Sequence, residues 1–217
     1  MRTLYVYEHC PYCVKARMIF GVHALPVRLK FLLNDEEQTL FNLIGKKMVP
    51  VLEEQNGRIM GESMEIVHYI DHEEAVSRVI GKNNPAITQW LDSVRDDIRL
   101  LTLPHYVLIA FPEFKTQSAI DYYIYKKEQL LGTSLASLQE KKPIFIERLN
   151  QALQKLPRLI YSEEAINEEL SEDDFNLFAM LRGISLFRDI VFPQRLANYM
   201  AHFSKVSGVN LLYNYAL

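Results

Sequence analysis

Thr3-Leu4-Tyr5-Val6-Tyr7-Glu8-His9-Cys10-Pro11-Tyr12-Cys13 begins as an apolar run of strand character and leads directly into two cysteines at the start of a helical pattern. The chain has no other cysteine. Three residues apart on a helix, the two stand on adjacent turns with Cα atoms about 5–6 Å apart, inside the range a disulfide requires. Pro11 suits the first helical position, because its missing N–H would have been unpaired there. Cys10 therefore sits where the first N–H groups of a helix point outward with partial positive charge, which favours thiolate over thiol. Cys13, one turn inside, is placed to attack a mixed disulfide formed on Cys10. Such chemistry asks that the Cys10 sulfur be exposed and largely ionised at neutral pH. A zinc site would need a second cysteine pair or two histidines at ligand spacing. A structural disulfide closing so short a loop would restrict the unfolded chain little. His9 adjoins the pair but has no second partner visible in the sequence.

Moving outward, Thr3 to Tyr7 reads as a buried strand and Pro11 to Val22 as a helix with Val14, Met18 and Val22 on one face. Val27, Leu29, Phe31 and Leu33 alternate with Arg28 and Lys30, which predicts a second strand. A helix between two strands implies a right-handed βαβ unit with parallel pairing. Asp35 to Ile44 carries a further helical pattern that ends at Gly45. Val49-Pro50-Val51-Leu52 and Arg58-Ile59-Met60 flank Asn56-Gly57, which predicts a hairpin whose two turn residues both have positive φ. Ser63 is a candidate cap for a helix with Ile66, Val67 and Ile70 on its inner face. The order is βαβαββα.

Past Asp71 the character changes. The stretch to Asn84 is mostly polar and reads as a linker over 74–84, between an α/β domain at 1–73 and an all-helical domain at 85–217. Ile87, Trp90, Leu91, Val94, Ile98 and Leu101 form one apolar stripe at helical spacing. Ile120 to Leu131, Ile144 to Leu156, Ser171 to Leu186 and Pro193 to Val206 are further helices. Ser171 is a candidate N-cap, followed by Glu172, Asp173 and Asp174, whose negative charge suits a first turn. Tyr106 to Phe111, between Pro104 and Pro112, reads as core.

With 24 basic and 27 acidic residues among 217, the net charge of −3 gives no electrostatic case for nucleic acid. No run approaches the roughly 18–20 apolar residues that cross a bilayer. The N-terminal stretch has no secretory pattern, and a cycling cysteine pair suits a reducing cytoplasm. No Gly-rich phosphate loop or G-x-S-x-G is present.

Two other points bear on the cysteines. A cis Val49–Pro50 bond would turn the Val49 backbone towards Cys10, leaving its N–H and C=O to pair with a cysteine-containing peptide as an added strand. Glu62-Ser63 is an ordinary helix start or, with its free N–H groups and the Ser hydroxyl, a carboxylate site. Glu65, His68 and His72 share a helical face without the H-E-x-x-H arrangement or a third ligand, and read as solvated or as a domain contact. His105 reads as structural.

Cys10-Pro11-Tyr12-Cys13, Val49-Pro50 and Glu62-Ser63-Met64, with Cys13 to Gly21 and Leu170-Ser171-Glu172-Asp173-Asp174, give the whole chain a resemblance to the bacterial glutaredoxin 2 family, glutaredoxins built like a glutathione S-transferase. The resemblance implies a thioredoxin-like N-terminal domain packed on a helical C-terminal domain. It also implies a glutathione-dependent thiol–disulfide oxidoreductase that reduces protein disulfides and protein–glutathione mixed disulfides, with glutathione as co-substrate and no metal. Cys10 would be the nucleophile and Cys13 the resolving thiol. Val49, before a cis Pro50, would hold the cysteine part of glutathione through its backbone, Glu62 and Ser63 its γ-glutamyl end, and Tyr12 would flank the site. Small glutaredoxins usually have Thr where this chain has Met48, so only the backbone contact carries over there. The expected state is a monomer. Alternative readings are a glutathione S-transferase, against which Cys13 argues, a non-catalytic interaction protein on the same scaffold, and iron–sulfur binding through Cys10.

Overall fold

In the computed structural model, which describes residues 1–217, strand β1 (Thr3–Val6) lies inside a four-stranded sheet of order β2-β1-β3-β4. The other strands are β2 (Arg28–Phe31), β3 (Val51–Glu53) and β4 (Ile59–Gly61). All of β1 is buried, which explains its unbroken apolar character. It pairs in parallel with β2, Leu4 opposite Leu29, and antiparallel with β3, Leu4 opposite Leu52. At the sheet edge, β2 alternates exposed Arg28 and Lys30 with half-buried Leu29 and Phe31. Helix α1 (Pro11–Val22) makes the crossover, α2 (Gln38–Ile44) lies against β3 and β4, and α3 (Ser63–Glu73) packs on α1. This βαβαββα arrangement is a thioredoxin-like domain.

The β3–β4 turn differs in detail from the sequence expectation. Only Gly57 takes a positive φ, 84°, while Asn56 does not. The Gly57 N–H bonds to the Glu54 carbonyl at 3.1 Å and the Glu54 N–H to the Arg58 carbonyl at 2.8 Å. The loop is thus one residue longer than a two-residue turn, and its left-handed residue is the glycine that closes it. Ser63 is not a cap either. It is the first residue of α3, and Glu62, at φ 64°, stands before it with no side-chain bond to the helix.

After α3, residues 74–84 form neither helix nor strand, yet their backbone is tied down. The Asp71 carboxylate accepts the Arg78 N–H at 2.8 Å, and the Gly81 N–H reaches the Leu170 carbonyl at 2.8 Å. The rest is helical: α4 (Pro85–Tyr106), α5 (Gln117–Leu131), α6 (Leu135–Gln139), α7 (Lys142–Leu153), α8 (Glu172–Ile184) and α9 (Gln194–Ser207), with 3₁₀ turns at Pro112–Phe114, Leu156–Arg158 and Tyr213–Tyr215. The five-residue α6 escapes sequence reading because it is too short to display a period. Helix α5 begins earlier than its apolar pattern, where the Thr116 hydroxyl accepts the Ala119 N–H at 3.2 Å. At α8 the Asp174 carboxylate accepts the Ser171 N–H at 2.9 Å, one half of a capping box. The Tyr106–Phe111 stretch is core only in part. Tyr106, Ile109 and Phe111 are buried, but the chain leaves α4 at Tyr106 and turns Leu108 out to 58% exposure.

Helix α1 is the hinge of the architecture, with α3 in its own domain and α8 and α9 in the helical domain all packed on it. At the α1–α9 crossing a Cβ on Gly21 would run into the Ser207 backbone. Gly21 is there for space rather than for dihedral freedom. Gly21→Ala is therefore expected to lower stability by roughly 1–3 kcal/mol, read from a urea unfolding curve. An unchanged midpoint would mean that the two helices can separate without cost.

Candidate active site

Cys10 is itself the residue that precedes α1. Its φ of −78° and ψ of 118° are extended, and its carbonyl accepts the Val14 N–H at 3.0 Å as the first bond of the helix. Pro11 follows at the first helical position, so the N–H groups of Tyr12 and Cys13 are the ones left facing the Cys10 sulfur. The Cys13 side chain lies beneath, wholly buried, and its sulfur also accepts the Tyr7 N–H at 3.4 Å. Cys10 is 9% exposed, less open than the sequence reading asks. Tyr12, in contrast, is 59% exposed, with the Lys15 ammonium 5.0 Å from its ring centre. Both cysteines are free thiols.

Their electrostatics are opposite. The Cys13 thiol donates to Cys10, and against the cost of burial this bond, the neighbouring His9 and the Cys13 and Tyr12 backbone N–H groups lower the Cys10 thiol to about 7. Cys13 moves the other way, well above the ordinary thiol value, through burial first and then through its bond to Cys10 and the charge there. One sulfur is prepared to ionise and the other to keep its proton.

Sheet register brings the remaining sequence-predicted residues to the same end of the sheet. Tyr5 lies opposite Val51 and Val51 opposite Gly61, so Val49-Pro50, the start of the Glu62-Ser63 turn and the β1 exit towards Cys10 leave the sheet at one end together. The Val49–Pro50 bond is cis, as expected. Neither the N–H nor the C=O of half-buried Val49 makes a backbone hydrogen bond within the chain. At α3 the first N–H to find a backbone acceptor outside the helix's own ladder is that of Ile66, on the Glu62 carbonyl at 3.0 Å, which leaves the turn before it open. The Glu62 carboxylate meets the Lys46 ammonium at 3.3 Å, with both side chains more than half exposed. These open backbone groups fit the main chain and the α-carboxylate of a short peptide.

Two residues that no sequence pattern singles out hold the Glu8-His9 dipeptide from the helical domain. Glu113, in the 3₁₀ turn after α4, is wholly buried and accepts the Glu8 N–H at 3.1 Å and the His9 N–H at 3.0 Å; its Oε1 also lies 2.5 Å from His9 Nδ1. Arg182 of α8, 1% exposed, donates to the Glu8 carbonyl at 2.9 Å and to the Asn210 carbonyl at 2.8 Å, and forms an ion pair with the Glu8 carboxylate. Arg17 takes the other Glu8 oxygen at 3.0 Å. The available signal is that each is a lone charge in an apolar run, Phe111-Pro112-Glu113-Phe114 and Met180-Leu181-Arg182-Gly183. His68 meets Glu172 at 2.8 Å, a contact between domains rather than a metal ligand set. His105 Nδ1 donates to the Leu101 carbonyl, 2.7 Å away, inside its own helix.

A thioredoxin-like sheet carrying a dithiol at a helix start, closed over by a helical domain, defines a thiol–disulfide oxidoreductase of glutathione-transferase architecture. A family model described as the glutathione S-transferase N-terminal domain matches residues 4–78, and one described as the glutaredoxin 2 C-terminal domain matches residues 86–216. Glutaredoxin 2 of Escherichia coli (strain K12) is 42% identical, over 99% of each chain. The solved structure of glutaredoxin 2 from Salmonella typhimurium in complex with glutathione superposes with a TM-score of 0.97 at 41% identity, covering 100% of this chain and 99% of that one. A glutathione S-transferase of Ceriporiopsis subvermispora, at 13% identity and a TM-score of 0.72 over 94% of this chain and 97% of that one, shares the fold alone. The chain belongs to the glutaredoxin 2 family of glutathione-dependent thiol–disulfide oxidoreductases. No helix is long and apolar enough to cross a membrane.

Proposed function

We propose that Cys10 is the nucleophile and Cys13 the resolving thiol in the reduction of protein disulfides and protein–glutathione mixed disulfides. The observation that carries this reading is the pairing of a Cys10 thiol lowered to about 7 with a Cys13 that is wholly buried. The Cys10 thiolate attacks one sulfur of a protein disulfide, that S–S bond breaks, and the displaced thiolate takes up a proton. Capping Cys10 removes the charge and the hydrogen bond that help to hold the proton on Cys13. Cys13 then gives up its proton, attacks the Cys10 sulfur and releases the substrate as a dithiol, leaving a Cys10–Cys13 disulfide. Two glutathione molecules reduce that bond and leave as glutathione disulfide. With a glutathionylated substrate, Cys10 takes the glutathionyl group and a second glutathione removes it.

In this reading the open Val49 backbone pairs with the cysteine portion of glutathione next to Pro50, the Glu62-Ser63 helix start holds the γ-glutamyl carboxylate, and Tyr12 lines the mouth. We also read residues 1–73 as the redox domain, 74–84 as its linker and 85–217 as the helical domain; the two family matches, over 4–78 and 86–216, leave a gap that overlaps the second half of that linker. We read the protein as a monomer, and a dithiol that must return to its reduced form suits the cytoplasm.

The test is alkylation of the reduced protein by iodoacetamide, followed as peptide masses across pH. Cys10 should react with an inflection near pH 7, its rate falling about tenfold per unit below that because only the thiolate attacks. Cys13 should stay unmodified over the same range. An inflection above 8 at Cys10 would remove the basis for its role. Ser63→Ala is expected to raise the KM for glutathione about tenfold with kcat nearly unchanged, the usual cost of one hydrogen bond to a charged group. A coupled assay with glutathione reductase and a small mixed disulfide reads it, and an unchanged KM would remove Ser63 from the site.

A further inference from the structure

His9 adjoins Cys10 in the chain and Glu113 is bonded to His9, and neither takes part in the bond-making steps of the exchange. A buried carboxylate persists where its charge is matched and its oxygens are bonded. Glu113 satisfies both conditions, with Oε1 on the His9 N–H and Nδ1 and Oε2 on the Glu8 N–H. Burial pushes its pKa up, but the His9 ring and the two backbone N–H groups outweigh burial and hold it below the ordinary value. The imidazole is boxed as well as bonded. Tyr7 and Phe114 stack on it at 5.8 and 5.3 Å, Tyr106 lies at 4.9 Å, and Tyr123 meets it edge-on at 5.5 Å. A carboxylate on one ring nitrogen fixes the proton there, and the ring's electrostatic pull on a Cys10 thiolate is among the causes that lower that thiol.

We propose that Glu113 is a positioning residue for the nucleophile, reaching from the helical domain to fix His9 with its proton on Nδ1, so that the His9–Glu113 pair sets the thiolate population of Cys10. This gives the helical domain a part in the chemistry, and it rests on the assignment of Cys10 as nucleophile. The other ionisable groups around the pair are Tyr7, Tyr106 and Tyr123, all kept protonated by burial, and the protonated Cys13. Lys15 and Lys127 also interact favourably with a Cys10 thiolate, and Glu8 is neutralised by Arg17 and Arg182. None of these groups bonds to the His9 ring, so its link to Glu113 can be cut alone.

The test repeats the pH titration of Cys10 alkylation on full-length Glu113→Gln, His9→Phe and the double variant. Each single substitution should move the inflection up by about one unit, equivalent to about tenfold less thiolate below it. The double variant should move it no further than the larger single shift, because both changes remove one pair. An inflection unmoved by His9→Phe, unmoved by Glu113→Gln in a folded protein, or displaced additively in the double variant overturns the proposal. Should Glu113→Gln fail to fold, Glu113→Asp is scored instead, a partial upward shift supporting the proposal and no shift overturning it. A low wild-type inflection that none of these changes moves sinks this inference alone. A wild-type Cys10 without a low inflection sinks the nucleophile assignment itself.

Discussion

Cys10→Ser is expected to abolish both the reduction of protein disulfides and the removal of glutathione from mixed disulfides, by at least about a thousandfold, because a serine hydroxyl does not ionise near neutrality. Cys13→Ser should separate the two activities. Cys13 is 0% exposed, so no external disulfide reaches it, and its one available reaction is attack on a sulfur already attached to Cys10. Without it, protein disulfide reduction should stall at the mixed disulfide, while glutathione still resolves a glutathionylated Cys10. The serine hydroxyl also replaces the thiol as hydrogen-bond donor to Cys10, so the Cys10 inflection should remain below the ordinary thiol value. The two assays are run side by side with glutathione, its reductase and either substrate. Deglutathionylation retained by Cys10→Ser, or lost by Cys13→Ser in a folded protein, would overturn the division of roles. The high pKa of Cys13 is part of the same logic, since it keeps the second thiol from competing until Cys10 is capped.

The second large effect belongs to the domain interface. Arg182 is 1% exposed and its guanidinium is shared among the Glu8 carboxylate, the Glu8 carbonyl and the Asn210 carbonyl. Arg182→Met removes the donor and leaves those acceptors buried. Breaking a buried pair from one side typically costs about 3–5 kcal/mol, and because Arg17 still pairs with Glu8 the lower end, about 3 kcal/mol, is expected here. That is a large part of a typical domain's stability, which lies around 5–15 kcal/mol. Arg182→Lys should fall between, as it keeps the charge but loses the planar fork that reaches several acceptors. Urea unfolding gives both values. A loss under about 1 kcal/mol for Arg182→Met would show that helix packing alone holds the Glu8-His9 loop against the helical domain.

The contacts of Arg182 and Glu113 also mark where sequence reading stopped. Glu8 and Arg182 are 174 positions apart and His9 and Glu113 are 104 apart, and no local period joins residues across such distances. The chain displays each only as a lone charge in an apolar stretch, which says that a partner exists without saying which. Shorter-range expectations met physical competition of a different kind. The hairpin was legible from Asn56-Gly57, but the strands took a longer loop that asks only glycine to be left-handed. Ser63 looked like a cap and became the first residue of the helix instead, with Glu62 bearing the positive φ. The expected contact between domains on the His68 face appears as the bond to Glu172.

What the amino-acid sequence alone determined is the order of elements in the first domain, the helical character of the second, and the placement of Cys10 and Cys13 one turn apart at a helix start. These follow from patterns a few residues long: alternation in strands, the helical repeat, a proline at a helix start and a three-residue cysteine spacing. Only the tertiary structure decided how far Cys10 is enclosed, that the Val49 and Ser63 segments leave the same end of the sheet as Cys10, and that Glu113 and Arg182 grip the two residues before Cys10. Those outcomes depend on strand register and on buried charges finding partners across domains, and both are settled by packing the whole chain at once.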